Sequence, residues 1–285
     1  MDAVVVFPEQ GNLFYRALAQ RVVTAASECG IDVELRAAGD LGDGIAGCTA
    51  LLVNPSECAL SGEPFVSGAR AFGTRIAVLA ESVDTRWYRN QLATGVSLDA
   101  ILDVGFVEQT AVEGPPYGFV FNGPTGPELA AIEAHAPGAR PIPWSFVGHR
   151  TDERVSLAAR LVAELAPGGF VFLPRSKRVR AGGGTLDPAA VTAVLEQSEI
   201  YVWESHHSHL YYESFRFVDA LVAGAAPGKI DARHAGAFEI PNVFETVAEL
   251  AHRDARTLYD DARAWYLTRP TLAQGLEPAL ASVLP

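Results

Sequence analysis

Residues 200–227 read IYVWESHHSHLYYESFRFVDALVAGAAP, and they predict a strand, a polar loop, a helix and a second strand. The first four residues are β-branched or aromatic, which is typical of a strand. After the loop, apolar residues recur at the spacing of one helix face: Phe215, Val218, Leu221 and Val222. Gly224 is expected to end the helix, and residues 225–231 to form the next strand. In such a unit, ligands bind where strand carboxyl ends meet helix amino ends, and the polar residues lie there.

The predicted helix carries charge on another face. Glu213, Arg216 and Asp219 are spaced three residues apart, so an acid, a base and an acid share one side. They are either binding residues or a solvated stripe, in which each ion pair contributes only about 0.2–0.5 kcal/mol.

The loop before this helix is rich in histidine, with His206, His207 and His209 close together. Such a cluster can be a zinc site, a polar loop element, or a contact for a phosphate or sugar. We favour the contact to a donor phosphate or sugar over zinc.

Residues 216–227, RFVDALVAGAAP, resemble the donor-binding helix of GT-B glycosyltransferases, in which an acid precedes a small and apolar run, a Gly and a Pro. They are most similar to the group related to spore-maturation proteins, which pairs an Arg with an acid three residues on, as Arg216 and Asp219 do. The resemblance implies that Asp219 holds the ribose hydroxyls of a nucleotide. It also implies that helix amides around Ser214 and Phe215 face the diphosphate.

A second segment carries the same resemblance. Residues 145–150, SFVGHR, followed by a helix with Arg154, are similar to the opening of the donor domain in that group. Retaining families of this fold usually show Glu-x7-Glu, but here Tyr211 stands at the first position and Glu213 lies six residues before Asp219. Either Glu213 replaces the first acid or that role is lost.

Strands alternate with helical windows along the whole chain, which is typical of doubly wound parallel sheets. We therefore expect the α/β class. The strands are predicted at 3–7, 31–35, 49–54, 75–80, 100–104, 117–121, 144–147, 170–174 and 200–203, before the one at 225–231. Helical segments are predicted at 13–29, 151–165, 187–197, 243–252, 254–267 and 271–283.

A proline-rich seam, Pro137 to Pro143, predicts a linker. We expect two Rossmann-like domains facing a cleft, as in GT-B: an acceptor-side domain over 1–140 and a nucleotide-sugar-binding domain over 141–268. The last segment, 269–285, is expected to be a helix that packs back on the first domain.

Composition narrows the function classes. The chain has 285 residues and a formal net charge of −12, which argues against nucleic-acid binding because phosphate backbones need a basic face. Three cysteines without metal-ligand spacing suit a reducing compartment. The first residues predict a strand and no signal peptide, and no apolar run is long enough to span a membrane, so we expect a cytoplasmic protein. The Ala, Gly and Arg bias suggests a bacterial source.

Glycosyl transfer requires stabilisation of a leaving diphosphate, and the absence of Asp-x-Asp from the sequence favours a metal-independent reaction without a cofactor. The basic loop over residues 175–184 is the densest cationic run, and it is either a phosphate contact or a solvated surface loop. The candidate donor-binding residues are Gly148, Arg150, Arg175, Lys177, Arg178, His206, Ser214, Phe215, Arg216 and Asp219.

The acceptor site is expected at the turn after the first strand and in the loop after the fourth. Its candidates are Gly11, Asn12, Phe14, Glu81, Asp84 and Trp87. In the alternative interpretation, Asp84 caps the next helix and Trp87 packs in the core. The base is unresolved among His209, Glu213, Glu81 and Asp84, of which His209 and Glu213 are the catalytic candidates.

Together these features predict a glycosyltransferase that moves a sugar from a nucleotide-diphosphate donor to a small-molecule acceptor, in specialised metabolism or the cell envelope, as a monomer or homodimer. The altered acid spacing keeps a non-catalytic nucleotide-sugar-binding protein open. A nucleotide-sugar epimerase on the same fold is the third alternative.

Overall fold

A computed structural model describes residues 2–9, 13–110, 114–135, 139–174, 188–205, 212–230 and 239–283. The strands are β1 (Asp2–Phe7), β2 (Asp32–Ala37), β3 (Thr49–Val53), β4 (Thr74–Leu79), β5 (Ala100–Gly105), β6 (Tyr117–Phe121), β7 (Ile142–Val147), β8 (Phe170–Phe172), β9 (Ser198–Trp203), β10 (Ala226–Ile230) and β11 (Val243–Phe244). The helices are α1 (Leu13–Glu28), α2 (Pro55–Cys58), α3 (Glu63–Ala69), α4 (Arg86–Leu92), α5 (Gly126–Ala134), α6 (Asp152–Glu164), α7 (Pro188–Glu196), α8 (Ser214–Val222), α9 (Val247–Ala251), α10 (Ala255–Leu267) and α11 (Leu272–Val283).

The strands form two separate parallel sheets. One has six strands in the order β2-β1-β3-β4-β5-β6, and the other has five in the order β11-β10-β9-β7-β8. Neighbouring strands run parallel in both. Neighbouring parallel strands require a crossover connection, and helices supply it after most of the strands. The alternation of strand and helix patterns in the sequence therefore predicted the parallel sheets. The α/β class and the two parallel sheets are therefore confirmed.

The chain folds into two compact units, one for each sheet. Among the described residues, the first unit holds 2–125 and 270–283, and the second holds 126–174, 188–205, 212–230 and 239–269. None of the helices in these ranges has the length and apolar character needed to cross a membrane.

In the first unit, α1 packs on β1, β2 and β3, while α11 packs on α1, β5 and β6. The approach of α11 to β6 depends on Gly275, where a Cβ would lie 3.3 Å from Val120 Cγ1. The Leu272 amide donates to the Pro124 carbonyl at 3.1 Å, which fixes the start of α11. Residues late in the chain thus complete the cover of the first sheet.

In the second unit, α8 lies against β9, β10, α5 and α10. Its Phe217 is 0% exposed and meets Trp265 and Tyr266 edge-on, with ring centroids 5.5 and 5.8 Å away. Burial of such rings is a main source of core stability. Gly224, with a φ of 75°, ends the helix as predicted, since this conformation favours glycine.

Arg140 holds three backbone segments of the second unit together. Its Nη1 donates to the carbonyl oxygens of Leu195, Ser198 and Ala223 at 3.1, 3.1 and 3.0 Å. These carbonyls lie at the end of α7, the start of β9 and the end of α8, where helix carbonyls lack partners within the helix.

The prediction of one helix over residues 243–252 is wrong. Val243 and Phe244 form the edge strand β11, paired with Lys229 and Ile230 of β10. Helix α9 begins only after Thr246, whose side chain accepts from the Glu249 amide. A β-branched and an aromatic residue before a good N-cap favour this strand–helix arrangement.

Candidate functional site

The first candidate site is the carboxyl edge of the second sheet, where β7, β9 and β10 end. In parallel α/β sheets this edge is where ligands bind. Residues 148–150 and 204–205 continue two of these strands within the described part of the chain. Five of the predicted donor or catalytic residues lie outside it: Arg175, Lys177, Arg178, His206 and His209.

Glu213 lies at the amino end of α8 between two guanidinium groups. Its Oε1 is 3.3 Å from Arg154 Nη2, and its Oε2 is 3.4 Å from Arg216 Nε. The carboxylate makes no hydrogen bond to the helix amides, although Glu213 occupies the N-cap position. Its charge is used to hold two arginines, which makes Glu213 a positioning group in this arrangement and leaves its catalytic role a prediction.

Arg154 is almost fully buried, at 1% exposure. Besides Glu213, it donates to the carbonyl oxygens of His149 at 3.4 Å and Glu204 at 3.2 Å. The Thr151 side chain accepts from the Arg154 amide, so the predicted N-cap of α6 is confirmed. Burial lowers the pKa of the Arg154 guanidinium, and the Glu213 carboxylate opposes this effect. Arg154 therefore joins the ends of β7 and β9 to the start of α8.

Arg216 also acts on the backbone. Its Nη1 donates to the Val147 carbonyl at 2.7 Å and contacts the Tyr201 hydroxyl. Gly148, a predicted donor contact, leaves room for this network, because a Cβ there would lie 3.1 Å from Arg154 Nη1 and 3.4 Å from Arg216 Nη2. Arg216 and Gly148 therefore fix the backbone at the carboxyl end of β7.

The other predicted donor residues differ in exposure. Asp219 and Arg150 are exposed, whereas Ser214 and Phe215 are buried. The Ser214 amide donates to the Tyr212 carbonyl at 2.8 Å, so that amide is engaged within the chain. The side chains of Asp219 and Arg150 are thus open to solvent, whereas the Ser214 amide is already hydrogen-bonded within the chain.

A buried lysine at this edge was missed by the sequence analysis. Lys229, at the end of β10, is 0% exposed, and its Nζ donates to Ser205 Oγ, just after β9, at 3.0 Å. Lysine is rarely fully buried, so its position at a ligand-binding edge indicates a functional candidate. The available signal was a single charged residue in the strand segment APGKI.

The second candidate site lies near the carboxyl edge of the first sheet, around Asp103, which is two residues before the end of β5. Asp103 is 1% exposed, and its Oδ2 accepts from the Tyr117 hydroxyl at 2.7 Å and from Gln109 Nε2 at 3.0 Å. Its Oδ1 has no hydrogen-bond partner among the residues that the structure describes. Burial raises the pKa of the Asp103 carboxyl to about 7; hydrogen bonds from Tyr117 and Gln109 lower it, and Glu81 raises it.

A carboxyl group that titrates near neutral pH is suited to proton transfer. Sequence reasoning missed Asp103 because it lies within a strand and not in a loop. The signal was one acid inside the apolar run AILDVG.

Some of the predicted acceptor residues lie around this second site. Glu81 follows β4, and its Oε1 accepts from the Tyr15 hydroxyl at 2.6 Å. Asp84 is exposed and accepts from Ser82 Oγ. The cap of α4 is Thr85, whose side chain accepts from the Tyr88 amide, so the alternative of Asp84 as the cap is wrong.

The aromatic acceptor candidates are half-buried. Phe14 meets the Tyr15 ring edge-on at 5.1 Å, and Trp87 lies under the Arg86 guanidinium at 4.6 Å. Gly11 and Asn12 lie outside the described residues. Within the described ranges, no group of three or more His, Cys, Asp or Glu side chains is arranged to hold a metal ion.

No protein-family model matches the chain, and no curated protein matches it. Among solved structures, it is similar to the DNA-modifying enzyme β-glucosyltransferase, solved in the presence and absence of the substrate uridine diphosphoglucose. That match covers 99% of both chains at 11% identity, with a TM-score of 0.54. A match to glucosamine-6-phosphate deaminase from Thermotoga maritima covers 96% of this chain and 87% of the other at 12% identity, but its TM-score of 0.27 carries no weight. Over its full length, the chain has a fold similar to that of a GT-B glycosyltransferase.

Proposed function

We propose that the protein is a glycosyltransferase that moves a sugar from a nucleotide-diphosphate donor to a small-molecule acceptor. The observation that carries this proposal is a contrast between the two sheet edges. Three buried or half-buried cations lie near the carboxyl edge of the second sheet: Arg154, Arg216 and Lys229. Near the carboxyl edge of the first sheet lies the Asp103 carboxyl group, whose pKa is about 7. Diphosphate departure needs cations, and acceptor activation needs a base, so the two edges match the two halves of the reaction.

On the donor side, we assign the diphosphate to the edge near Lys229 and Ser205, and the ribose to Asp219. Because Lys229 is 0% exposed, a phosphate reaches its ammonium group only after the surroundings rearrange. Asp219 is exposed on α8 and therefore accessible to a ligand. Arg150 is exposed at the same strand end as Gly148. The basic residues 175–180 follow β8 in sequence and supply further positive charge.

On the acceptor side, we assign proton transfer to Asp103. The acceptor hydroxyl oxygen attacks the anomeric carbon, the bond from that carbon to the diphosphate oxygen breaks, and the diphosphate leaves with the electron pair. The hydroxyl proton passes to the Asp103 carboxylate. Because Asp103 is 1% exposed, an acceptor reaches its Oδ1 only after its surroundings rearrange.

The acceptor is proposed to be a small molecule even though the similar enzyme modifies DNA. A formal net charge of −12 opposes binding of a phosphate backbone, whose affinity comes largely from cationic side chains. Carboxylates at Glu81 and Asp84 add to this repulsion at the proposed acceptor edge.

The first test is the thermal midpoint of the protein with UDP, GDP, dTDP and CDP. A ligand at 100 times its Kd stabilises the native state by about 2.7 kcal/mol, which raises the midpoint by several degrees. Turnover with the matching nucleotide sugars and hydroxylated acceptors follows. No shift with any nucleotide contradicts the donor site, binding without transfer favours a non-catalytic protein, and sugar interconversion without acceptor favours an epimerase.

A further inference from the structure

One amide side chain connects the two loops of the first unit that follow β4 and β5. Gln109 Nε2 donates to Asp103 Oδ2 at 3.0 Å and to the Glu81 carbonyl at 3.1 Å. Its Oε1 accepts from the Val83 amide at 3.1 Å. A flipped amide would face like groups at all three contacts, so the hydrogen-bond pattern defines its orientation.

We infer that Gln109 is a positioning residue that holds the acceptor loop, residues 81–84, in register with the buried carboxyl of Asp103. The role of residues 81–84 as an acceptor loop rests on the proposed function, whereas the hydrogen-bonded link between the two loops does not. The same nitrogen contacts the carboxyl and the loop, so movement of either one changes the hydrogen bonds of the other.

The geometry also selects the oxygen of Asp103 that exchanges its proton. Tyr117 and Gln109 both donate to Oδ2, whereas Oδ1 receives no hydrogen bond from the described residues. Hydrogen bonds to a carboxylate stabilise its charged form. With Oδ2 held by two donors, Oδ1 is the atom left to exchange a proton once its surroundings rearrange, and Gln109 helps to set the pH at which exchange occurs.

The groups that face Asp103 come from four elements. Tyr117 comes from β6, Gln109 from the loop after β5, Glu81 from the loop after β4, and Tyr88 from α4. Burial and the Asp103 charge raise the pKa of Tyr88, so it stays neutral near pH 7. Glu81 raises the pKa of Asp103, and the hydrogen bond from Gln109 lowers it.

Two substitutions separate the two functions of Gln109. Tyr117→Phe removes one hydrogen bond to Oδ2 and the contact of its hydroxyl with the Gln109 backbone, but it keeps both contacts of the Gln109 side chain to the 81–84 loop. Gln109→Met removes the other hydrogen bond to Oδ2 and both loop contacts. Each is expected to raise the pKa of Asp103 by about one pH unit, as measured by carboxyl carbon NMR, with Asp103→Asn identifying the signal. Only Gln109→Met is expected to speed hydrogen exchange at the Val83 amide, by about tenfold.

Unchanged Val83 exchange in a folded Gln109→Met protein overturns the inference, as does equal acceleration in Tyr117→Phe. Far-UV circular dichroism establishes folding, and Gln109→Ala, which removes the same amide without adding a charge, replaces Gln109→Met if that protein does not fold. Under the proposed function, Gln109→Met also raises the acceptor KM and leaves the donor KM unchanged. If the NMR and exchange results hold but no sugar is transferred, the link between the loops stands and the proposed function fails.

Discussion

Arg154 Nη2 lies 3.3 Å from Glu213 Oε1, although the two residues are 59 positions apart in sequence. The pair joins the start of α8 to the first turn of α6, and the same guanidinium nitrogen reaches the Glu204 carbonyl at 3.2 Å. The position of the proposed donor edge therefore depends on one buried cation.

Substitution of Arg154 by Met should lower the free energy of unfolding by about 3 kcal/mol, because the buried carbonyl oxygens of His149 and Glu204 lose their donor and Glu213 keeps only Arg216 as a partner. Urea unfolding measures the change. The matched control is Arg160→Met, since Arg160 is 47% exposed and lies 3.9 Å from Glu204. Such an exposed pair contributes less than about 1 kcal/mol. Equal effects of the two substitutions would contradict the importance of the Arg154 contacts.

Substitution of Asp103 by Asn should stabilise the protein at pH 8 and have little effect at pH 3.5. Burial raises the pKa of Asp103 from 3.8 to about 7, so the folded state binds the proton more tightly than the unfolded state. The resulting penalty is absent below pH 3.8, grows as pH rises to about 7, and is constant above. A shift of this size corresponds to roughly 4 kcal/mol.

Denaturant unfolding at several pH values measures this difference, with Asp99→Asn as the control on the exposed Arg75 pair. A stability gain that is the same at pH 3.5 and pH 8 would show that charge burial is not its cause. Under the proposed function, the same substitution also abolishes base-assisted transfer, so stability and turnover should change in opposite directions.

Substitution of Asp219 by Ala should weaken nucleotide binding by about tenfold or more, as expected for the loss of hydrogen bonds to a charged group. Because Asp219 is exposed, the free energy of unfolding should change by less than about 0.5 kcal/mol. Calorimetry with the nucleotide found by thermal shift measures the affinity. Asp260→Ala, at another exposed helix acid, should bind normally; unchanged affinity in Asp219→Ala removes the ribose assignment.

Substitution of Lys229 by Met should lower affinity for a nucleoside diphosphate by about tenfold, since a charge-assisted contact to phosphate is lost. The fold should persist, because Met has similar length and no charge to bury. Ser205→Ala keeps the ammonium and should have a smaller effect. If the unaltered protein binds the nucleoside as tightly as the nucleoside diphosphate, there is no phosphate site here.

Much of the fold followed from local sequence patterns. The strand at 200–203 and the helix ended by Gly224 were predicted because apolar spacing and a glycine stop are properties of neighbouring residues. The edge strand at Val243 was missed because two residues give too little periodicity to identify a strand. The pairing of Val243 with Lys229 of β10 defines this strand, and that pairing exists only in the folded chain.

The chemical sites were less predictable for the same reason. The pKa of Asp103 depends on burial and on Tyr117, Gln109 and Glu81, which are separated by up to 36 positions of sequence. Lys229 is a single cation in a short strand, and its burial is set by tertiary packing. Sequence reasoning located the carboxyl edge of the second sheet, and it could not show that Arg154 and Arg216 hold backbone carbonyls there.

The packing of α11 on β6 affects how the protein is made. The ribosome releases β6 roughly 150 residues before it releases the helix that covers it, so the nascent first unit exposes that surface through most of synthesis. Chaperone protection during translation, and not only the stability of the finished protein, should therefore govern the yield of variants that weaken the contact at Gly275.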